Sequence, residues 1–351
     1  MTDAAAPAPA PYHVEHGDID RDRDAILALW RGNLGDDARM RLKYEWFYAQ
    51  CPFGTPSVCL LRTASVPDPV GVASAGPRRM QTAAGAIDAG VLVDLTVSAE
   101  HRSLGPAMTL QSALADAGAQ RFGLLYGFPN PKAAPVFKRI GYAKLGEIVR
   151  HARVLRHARY LTRRLPRPLA AMAGALVDLA VRLRDAWRAH GDPRLHVCWT
   201  DSADTRFDSL WQRAAPASGC FAIRDQAFAR WRFDDCPMEK TRYLLLSGAD
   251  GALQAWFACQ VRDVTLHVRD FWSIDAATGV KRPHVDALLR AARRLGHESV
   301  SVEIAGRVDR LAGWRGAGFS ARGQRPVFGK WTSANAPADQ ELYLTSADED
   351  E

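Results

Sequence analysis

Residues 94–107 have the residue types of a strand, a loop and a helix start that together bind a phosphate group. An alternating apolar strand ends at Val97, a polar loop containing Arg102 follows, and Gly105 stands where a helix begins. Free backbone N–H groups and the helix dipole make such a helix N-terminus a site for a pyrophosphate. Glycine permits a close approach of the ligand. The alternative is an ordinary strand-to-helix turn, and the surrounding sequence decides between the two.

Asp94 is the candidate for proton transfer. Side chains alternate between the two faces of a strand, so Asp94 is predicted to lie on the face of Leu92 and Thr96, opposite Val93 and Leu95. A carboxylate among apolar neighbours has a raised pKa and can accept a proton. The alternative is a hydrogen-bonded residue at the end of a strand.

The sequence around this segment predicts alternating strands and helices. The predicted helices lie near 21–33, 37–49, 105–119 and 132–140, and the predicted strands near 57–63, 69–77, 90–97, 122–128 and 145–154. Strands that alternate with helices around one sheet are typical of a layered α/β or α+β domain.

A faint repeat divides the chain into two similar halves. Three short patterns recur in the same order, at offsets of 181, 185 and 177 residues; they are Ala28-Leu29-Trp30 with Ser209-Leu210-Trp211, the segment 46–52 with 231–237, and Ile140-Gly141-Tyr142 with Ala317-Gly318-Phe319. Both longer segments begin with Trp and end with Cys-Pro. The repeat predicts a duplicated domain, although a coincidence of short patterns is the alternative.

An arginine-rich segment at 150–188 separates the halves and ends in a predicted amphipathic helix near 168–189. One interpretation is an interfacial anchor for an anionic membrane; the other is a connecting helix whose apolar stripe faces the protein's own core. The predicted organisation is a flexible tail (1–11), a first domain (12–155), a basic linker with the helix (156–194), a second domain (195–333) and a solvated acidic tail (334–351).

The order of motifs resembles the GCN5-related N-acetyltransferase (GNAT) superfamily. Leu95-x-Val97, Arg102-x-x-Gly105 and Ala107 are similar to its motif A, and Asn130, Phe137 and Gly141-Tyr142 follow in the order of its later motifs. The resemblance implies tandem GNAT-like domains, each a mixed central sheet flanked by helices. More narrowly, the chain looks like the tandem-domain acyltransferases associated with bacterial polysaccharide synthesis.

The resemblance also implies a co-substrate and its site. Acetyl-CoA or another acyl-CoA would be bound, with its pantetheine arm between two strands that splay apart and with direct attack by an amine. The implied cofactor-binding residues are Leu95, Val97, Arg102, Ser103, Leu104, Gly105, Ala107 and Asn130. The main chain near Leu95 and Val97 would polarise the thioester carbonyl.

Two positions depart from the family pattern. Pro106 removes one N–H donor from the loop, and Phe137 occupies the place of the tyrosine that protonates the departing thiolate. The candidate replacements are Tyr126, Tyr142 and water; Tyr142 is the named catalytic candidate besides Asp94, and a core aromatic is its alternative.

The second half lacks the phosphate motif. At the corresponding place the sequence offers Gly279 and the cations Lys281 and Arg282, which could meet a phosphate only as point charges. We expect a non-catalytic copy that completes the acceptor site or stabilises the first half.

Composition narrows the functional class. The chain of 351 residues has a net charge of +7 and a pI of about 9.2, and its six cysteines show no C-x-x-C pair. We expect reduced thiols, a cytoplasmic location with peripheral contact at the inner face of the membrane as an option, and no metal.

The predicted activity is N-acylation of an amine, such as an amino sugar or glycan precursor. The alternatives are a silent GNAT-like protein that binds membrane or polysaccharide-assembly partners, and an aminoacyl-tRNA-dependent transferase. No nucleic-acid module is recognisable.

Overall fold

The computed structural model describes residues 12–162, 165–216, 218–275, 279–332 and 341–350. The predicted flexible tail at 1–11, Arg163, Arg164, residues 334–340 and Glu351 lie outside these ranges, and so does the side chain of Leu104. Among the described residues, no helix is both long and apolar enough to cross a membrane.

The strands are β1 (Tyr12–Gly17), β2 (Ser57–Thr63), β3 (Val66–Thr82), β4 (Gly85–Val97), β5 (Leu124–Gly127), β6 (Ala143–Val154), β7 (His196–Thr200), β8 (Cys220–Ala222), β9 (Arg242–Ser247), β10 (Leu253–Arg262), β11 (Thr265–Ser273), β12 (Ser299–Ala305), β13 (Ser320–Trp331) and β14 (Leu342–Thr345). The α-helices are α1 (Arg23–Trp30), α2 (Asp37–Lys43), α3 (Leu104–Ala119), α4 (Ala134–Arg139), α5 (Ala158–Leu161), α6 (Arg167–Arg188), α7 (Arg206–Ala214), α8 (Gln226–Ala229), α9 (Arg282–Arg294) and α10 (Ala312–Gly316). Two π-helical segments, Tyr44–Ala49 and Arg230–Asp234, follow α2 and α8.

The order of elements recurs, as the sequence repeat predicts. The first half runs β1-α1-α2-π-β2-β3-β4-α3-β5-α4-β6, and the second half runs β7-α7-α8-π-β9-β10-β11-α9-β12-α10-β13, with β8 added between α7 and α8. The Trp46 and Trp231 segments of the repeat are the two π-helices. The predicted fold class, a mixed sheet flanked by helices in each half, is confirmed.

The described strands form one sheet in which the two halves exchange their last strands. The order is β1-β2-β3-β4-β5-β13-β6-β12-β11-β10-β9-β7. Strand β13 of the second half lies between β5 and β6, and β6 of the first half lies between β13 and β12, all antiparallel. Each half therefore depends on a strand of the other for its hydrogen bonds.

Strands β8 and β14 join the halves a second time. Strand β14 pairs with β12 and with β8, and β8 pairs with β3. The paired strands form a closed circuit around the larger core, which includes Trp46 and Trp231. A smaller core lies under α3 and includes Leu110, Leu114 and Phe137.

The acidic end of the chain is not solvated, so that prediction is wrong for the described residues 341–350. Ser346, Ala347 and Asp348 are buried. The Asp348 carboxylate lies 2.8 Å from the Arg224 guanidinium, Glu349 pairs with Arg325, and Asp350 lies 2.5 Å from Lys43. The sequence shows an acidic run but not the buried cations that receive it.

Helix α6 is observed where the sequence predicts it, but its apolar stripe faces outward. The buried side consists of Ala170 and Gly174, and a Cβ on Gly174 would lie 2.6 Å from the Ala158 backbone. Small residues thus let α6 approach α5 closely, while large apolar side chains such as Leu176 and Trp187 are exposed. The interpretation in which the stripe faces the protein's own core is wrong.

Candidate functional site

A β-bulge fixes Asp94 in an unusual backbone conformation. In the pairing of β3 with β4, Ser74 faces Val93 and Val72 faces Thr96, so two residues of β4 oppose one of β3. Asp94 is the extra residue of the bulge, and its backbone φ angle is 55°. Non-glycine residues other than Asn and Asp rarely adopt this left-handed conformation. The bulge marks a place where the strand re-aims its side chains.

The bulge also corrects the predicted faces of β4. Val91 and Val93 lie in the larger core, whereas Val97 lies in the smaller core on the opposite face, with Leu95 packed against it. The prediction that Val93 and Leu95 share one face is therefore wrong. One inserted residue reverses the alternation for every position that follows it.

Asp94 belongs to a buried cluster of two carboxylates, one ammonium and one phenol. Lys43 Nζ donates to Asp94 Oδ1 at 2.7 Å and to Asp350 Oδ2 at 2.5 Å. Tyr48 Oη donates to the other Asp94 oxygen at 2.7 Å. The Lys43 and Asp94 side chains are almost fully buried, while that of Asp350 is 25% exposed. Asp350 is therefore the more accessible of the two carboxylates.

Burial and the neighbouring opposite charges shift the pKa values of this cluster in opposite directions. Burial raises the pKa of Asp94 above its usual value, although Lys43 opposes the change. Burial also disfavours the Asp350 anion, but the neighbouring Lys43 outweighs it and lowers the pKa of that carboxyl. Burial disfavours the Lys43 ammonium, yet Asp350 and Asp94 raise its pKa above the ordinary value. At neutral pH Asp350 is thus an anion beside a permanent cation.

A cavity of about 210 Å³ opens beside the cluster, between β4 and β5. The two parallel strands pair only from Ala89 and Leu124 to Val91 and Tyr126, and beyond that point they separate. The cavity is lined by Leu34, Met40, Lys43, Leu92, Val93, Asp94, Leu95, Gln111, Phe128, Pro129, Asn130, Ala133, Phe137 and Asp350. The splayed strands expected from the resemblance are therefore observed.

The loop before α3 leaves fewer free amides than the sequence predicts. The N–H groups of Arg102 and Ser103 already donate to the carbonyls of Ala99 and His101, at 3.3 and 2.9 Å. Ala107 follows in the first turn of α3, after Pro106, which has no N–H to donate. The amides of Leu104 and Gly105 remain as donors at the helix N-terminus.

Gly105 faces open space. A Cβ added to Gly105 would meet no atom within 4 Å, so the helix N-terminus is accessible to a ligand. The Arg102 side chain turns the other way, because its guanidinium donates to the Val97 carbonyl at 3.3 Å and to Asn33 Oδ1 at 2.5 Å. The residues Arg102 and Val97 therefore bond to each other at the end of β4.

Asn130 and Phe137 lie at the cavity, whereas the tyrosine candidates do not line it. Asn130 Oδ1 accepts from the N–H groups of residues 132 and 133 at 3.0 Å and so shapes the turn before α4. Tyr142 is buried in the smaller core, its ring 5.2 Å from that of Phe137. Tyr126 Oη donates to the Asp348 carbonyl at 3.0 Å. We therefore assign no proton transfer to either tyrosine.

In the second half, residues of the chain itself fill the space beside the corresponding loop. A Cβ on Gly279 would clash with the Arg310 carbonyl, so this glycine permits close contact with the turn before α10 rather than with a ligand. Lys281 pairs with Asp275 at 2.5 Å, and Arg282 pairs with Asp192 at 3.0 Å. The two cations expected to meet a phosphate are bonded within the chain.

Three residues of the cluster, Lys43, Tyr48 and Asp350, are not among the site residues predicted from the sequence. Lys43 did leave a signal, because it stands at helical spacing between the apolar Met40 and Phe47, and a lysine on an apolar helix face needs a buried partner. No pattern in the sequence indicates Asp350, because only the folding of the chain brings this residue to the site. Among the described residues, no three His, Cys, Asp or Glu side chains are grouped to hold a metal ion.

The sequence matches no protein-family model and no curated protein. Solved structures do resemble this one. A conserved protein of unknown function from Enterococcus faecalis V583, named "Probable N-Acyltransferase", superposes with a TM-score of 0.64 at 10% identity, covering 92% of this chain and 73% of that chain. A GCN5-related N-acetyltransferase from Anabaena variabilis gives a TM-score of 0.61 at 11% identity, over 92% and 73%. Another from Kribbella flavida gives 0.59 at 12% identity, over 92% and 71%.

This chain has a GNAT-like fold. The likeness extends over both halves, because each of these superpositions covers 92% of the chain. In this GNAT-like fold the cavity lies in the first half, where β4 and β5 part, and Asp350 reaches it from the far end of the sequence. The C-terminal segment thus brings one residue of the candidate site to the first half.

Proposed function

We propose that this protein is an acyl-CoA-dependent N-acyltransferase. The observation that carries the proposal is the gap between β4 and β5, which is lined by a partly exposed carboxylate, Asp350. The N-terminus of α3, the helix that packs on these strands, is open at Gly105. The gap can receive an extended chain, and the helix N-terminus favours a phosphate. The GNAT-like fold of the neighbours, two of which are named as N-acetyltransferases, supports the same reaction class.

The residues present fit the binding of an acyl-CoA. The Leu104 and Gly105 amides would donate to the pyrophosphate, with the α3 dipole in support. Leu95 and Asn130 line the gap on its two sides and would flank the pantetheine arm. The Ser103 N–H is not free for the ligand, because it donates to the His101 carbonyl.

When bound, acyl-CoA supplies the acyl group: the amine nitrogen bonds to the thioester carbon, the carbon–sulfur bond breaks, and the thiolate takes a proton from water. The Asp350 carboxylate takes the proton that the amine nitrogen loses, because it is the carboxylate of the pair that a substrate can reach, although Lys43 lowers its pKa. Lys43 and Tyr48 hold Asp94, and Lys43 links Asp94 to Asp350. Asp94 is therefore a positioning residue in this scheme. Phe137 lines the cavity without a proton to donate, which leaves water as the proton source for sulfur.

The acceptor is proposed to be a small amine such as an amino sugar or a glycan precursor. The Asp350 carboxylate is partly exposed at the gap, and its pKa is lowered by Lys43, so this anion can attract a protonated amine. A structure with a TM-score of 0.55, at 11% identity and covering 94% of this chain, is named as a glucosamine N-acetyltransferase region of a fungal protein. That name supports an amino sugar as the first acceptor to test.

Calorimetric titration of the full chain with acetyl-CoA tests the proposal. We expect wild-type protein to bind with a Kd in the micromolar range. A Gly105→Glu variant places a carboxylate beside the pyrophosphate, and like charge should weaken binding at least about tenfold. Its matched control is Gly323→Glu on β13, where an added Cβ also meets no atom within 4 Å.

The control should bind as wild type does, and both variants should keep the wild-type circular dichroism spectrum. Equal affinity of the Gly105→Glu and Gly323→Glu variants would contradict the proposed site. Absence of binding of acetyl-CoA and of longer acyl-CoAs to wild-type protein would overturn the proposed activity.

A further inference from the structure

Helix α6 carries a continuous apolar stripe that no part of the described protein covers. Its members recur every three or four residues and are between 52% and 79% exposed; they are Leu169, Met172, Leu176, Leu179, Leu183 and Trp187. Residues at this spacing lie on one side of a helix. A stripe of this size exceeds the scattered apolar residues of an ordinary surface and marks an interaction site.

The opposite side of α6 is fixed to the protein, so the stripe cannot turn inward. Asp178 Oδ1 lies 2.6 Å from His157 Nδ1, and Asp185 bonds to Arg153 and, at 2.8 Å, to Arg293. Both acids of the helix therefore lie on its inner side, and both are paired there. The outward side presents apolar side chains on a rigid support.

The border of the stripe is basic. Arg182 and Arg184 are exposed on the two sides of it, since a rotation of 100° per residue places them on opposite flanks of Leu183. Arg182 also lines a cavity of about 410 Å³ between α6 and α9 together with the exposed Arg290 and Arg294. The acids on α6 itself face inward, so its outward charges are positive.

We propose that the α6 stripe docks the protein on an anionic membrane surface. A helix with an apolar side and a basic border lies in the plane of the bilayer interface and binds through buried apolar area plus attraction to anionic lipid. Trp187, 79% exposed at the end of the stripe, is the residue type that favours the interface.

A second copy of the chain fits the stripe less well. Two α6 helices packed along their stripes would bring Arg182 and Arg184 of both copies to the edges of the contact, where coiled coils place opposite charges. Both acids of the helix already have partners within the chain, Asp178 in His157 and Asp185 in Arg293 and Arg184, so a second helix offers no free acid to these arginines. An anionic lipid surface complements the same border.

Vesicle flotation of the full chain tests this docking. We expect wild-type protein to float with vesicles of equal parts phosphatidylglycerol and phosphatidylcholine at about 0.05 M salt, and much less at about 0.5 M salt, because screening weakens the attraction. It should not float with phosphatidylcholine alone. The Leu176→Glu/Leu183→Glu variant should bind the anionic vesicles at least about tenfold more weakly, since it removes buried apolar area and adds repulsion.

The matched control is Val261→Glu/Val308→Glu, which adds the same charges at apolar positions of similar exposure far from α6 in the sequence. The control should float as wild type does, and both variants should unfold at the wild-type temperature. Failure of wild-type protein to bind anionic vesicles at low salt would overturn the proposal. The proposal would also be overturned if light scattering showed a wild-type dimer that the Leu176→Glu/Leu183→Glu substitutions dissociate, while the protein bound no vesicles. Because no acyl-CoA is used, the result is independent of the proposed transferase activity.

Discussion

Trp46 and Trp231 bond to each other in a reciprocal pair at the junction of the two halves. The Nε1 of Trp46 donates to the Trp231 carbonyl at 2.6 Å, and the Nε1 of Trp231 donates to the Trp46 carbonyl at 3.2 Å. Their rings stack with centroids 5.3 Å apart and an interplanar angle of 21°. Two equivalent residues of a repeat that exchange the same bond lie about an approximate twofold axis.

Replacing Trp46 by Phe tests how much this pair contributes to the stability of the fold. The substitution removes one buried donor, leaves the Trp231 carbonyl without it and opens a small cavity, so we expect a loss of about 2–4 kcal/mol in the free energy of unfolding. Denaturant unfolding measures it. The control Trp187→Phe changes an exposed indole and should stay within about 0.5 kcal/mol of wild type. Equal stability of the two variants would contradict a structural role for the pair.

The exchange of β6 and β13 predicts that neither half folds alone. A chain of residues 12–155 would present β6 without its partners β12 and β13, and would leave the Trp46 donor unbonded. An unpaired strand edge favours aggregation. We expect no cooperative unfolding transition for this fragment by circular dichroism. A reversible cooperative transition in the isolated fragment would show that the exchange is dispensable.

Asp350→Asn tests the proposed proton acceptor. The amide keeps the shape of the side chain but accepts no proton, so kcat should fall about 10²–10⁴-fold while the Kd for acetyl-CoA stays the same. Steady-state kinetics with an amino-sugar acceptor, beside calorimetry, separate the two quantities. Asp24→Asn, which neutralises an exposed carboxylate, is the control. A kcat that matches the control would assign the proton transfer elsewhere.

Arg224 holds two buried carboxylates, Asp270 and Asp348, each at 2.8 Å. Because Arg224→Met leaves both without their cation in the core, we expect a loss of about 3–5 kcal/mol in the free energy of unfolding. The surface pair of Arg206 with Asp204 provides the comparison, and Arg206→Met should cost no more than about 1 kcal/mol. Denaturant unfolding of both variants checks the contrast; similar losses would argue against a buried network.

Asp270 makes the stability depend on pH. Burial raises the pKa of Asp270 from its ordinary value to about 6, so the folded protein binds this proton more tightly than the unfolded chain does. The stabilisation is present below about pH 4 and is lost as the pH rises through about 6. The free energy of unfolding of wild type minus that of Asp270→Asn should fall by about 3 kcal/mol from pH 3.5 to 7.

Urea unfolding at a series of pH values measures this difference. The exposed Asp68→Asn variant is the control, and its difference from wild type should not change over the same range. A flat difference for Asp270→Asn would place its folded pKa near the ordinary value.

Local patterns predicted the elements of the site but not their final geometry. The loop before Gly105 and the strand before it could be found because backbone hydrogen bonding and side-chain alternation follow from neighbours in sequence. The bulge at Asp94 could not, because a single inserted residue has no signature in an alternating apolar run. Its effect is large, since it sends Val93 and Leu95 to opposite faces.

The sequence by itself indicated the repeat, the GNAT-like fold class and a helix start near Gly105, since a repeated pattern, an order of motifs and a strand–loop–helix pattern are all visible along the chain. Only the tertiary structure decided that β6 and β13 are exchanged, that the α6 stripe faces outward, and that Asp350 meets Lys43. Each of these joins segments far apart in sequence. Their pairing depends on which buried charge finds a counter-charge and which strand edge finds a partner in the folded chain.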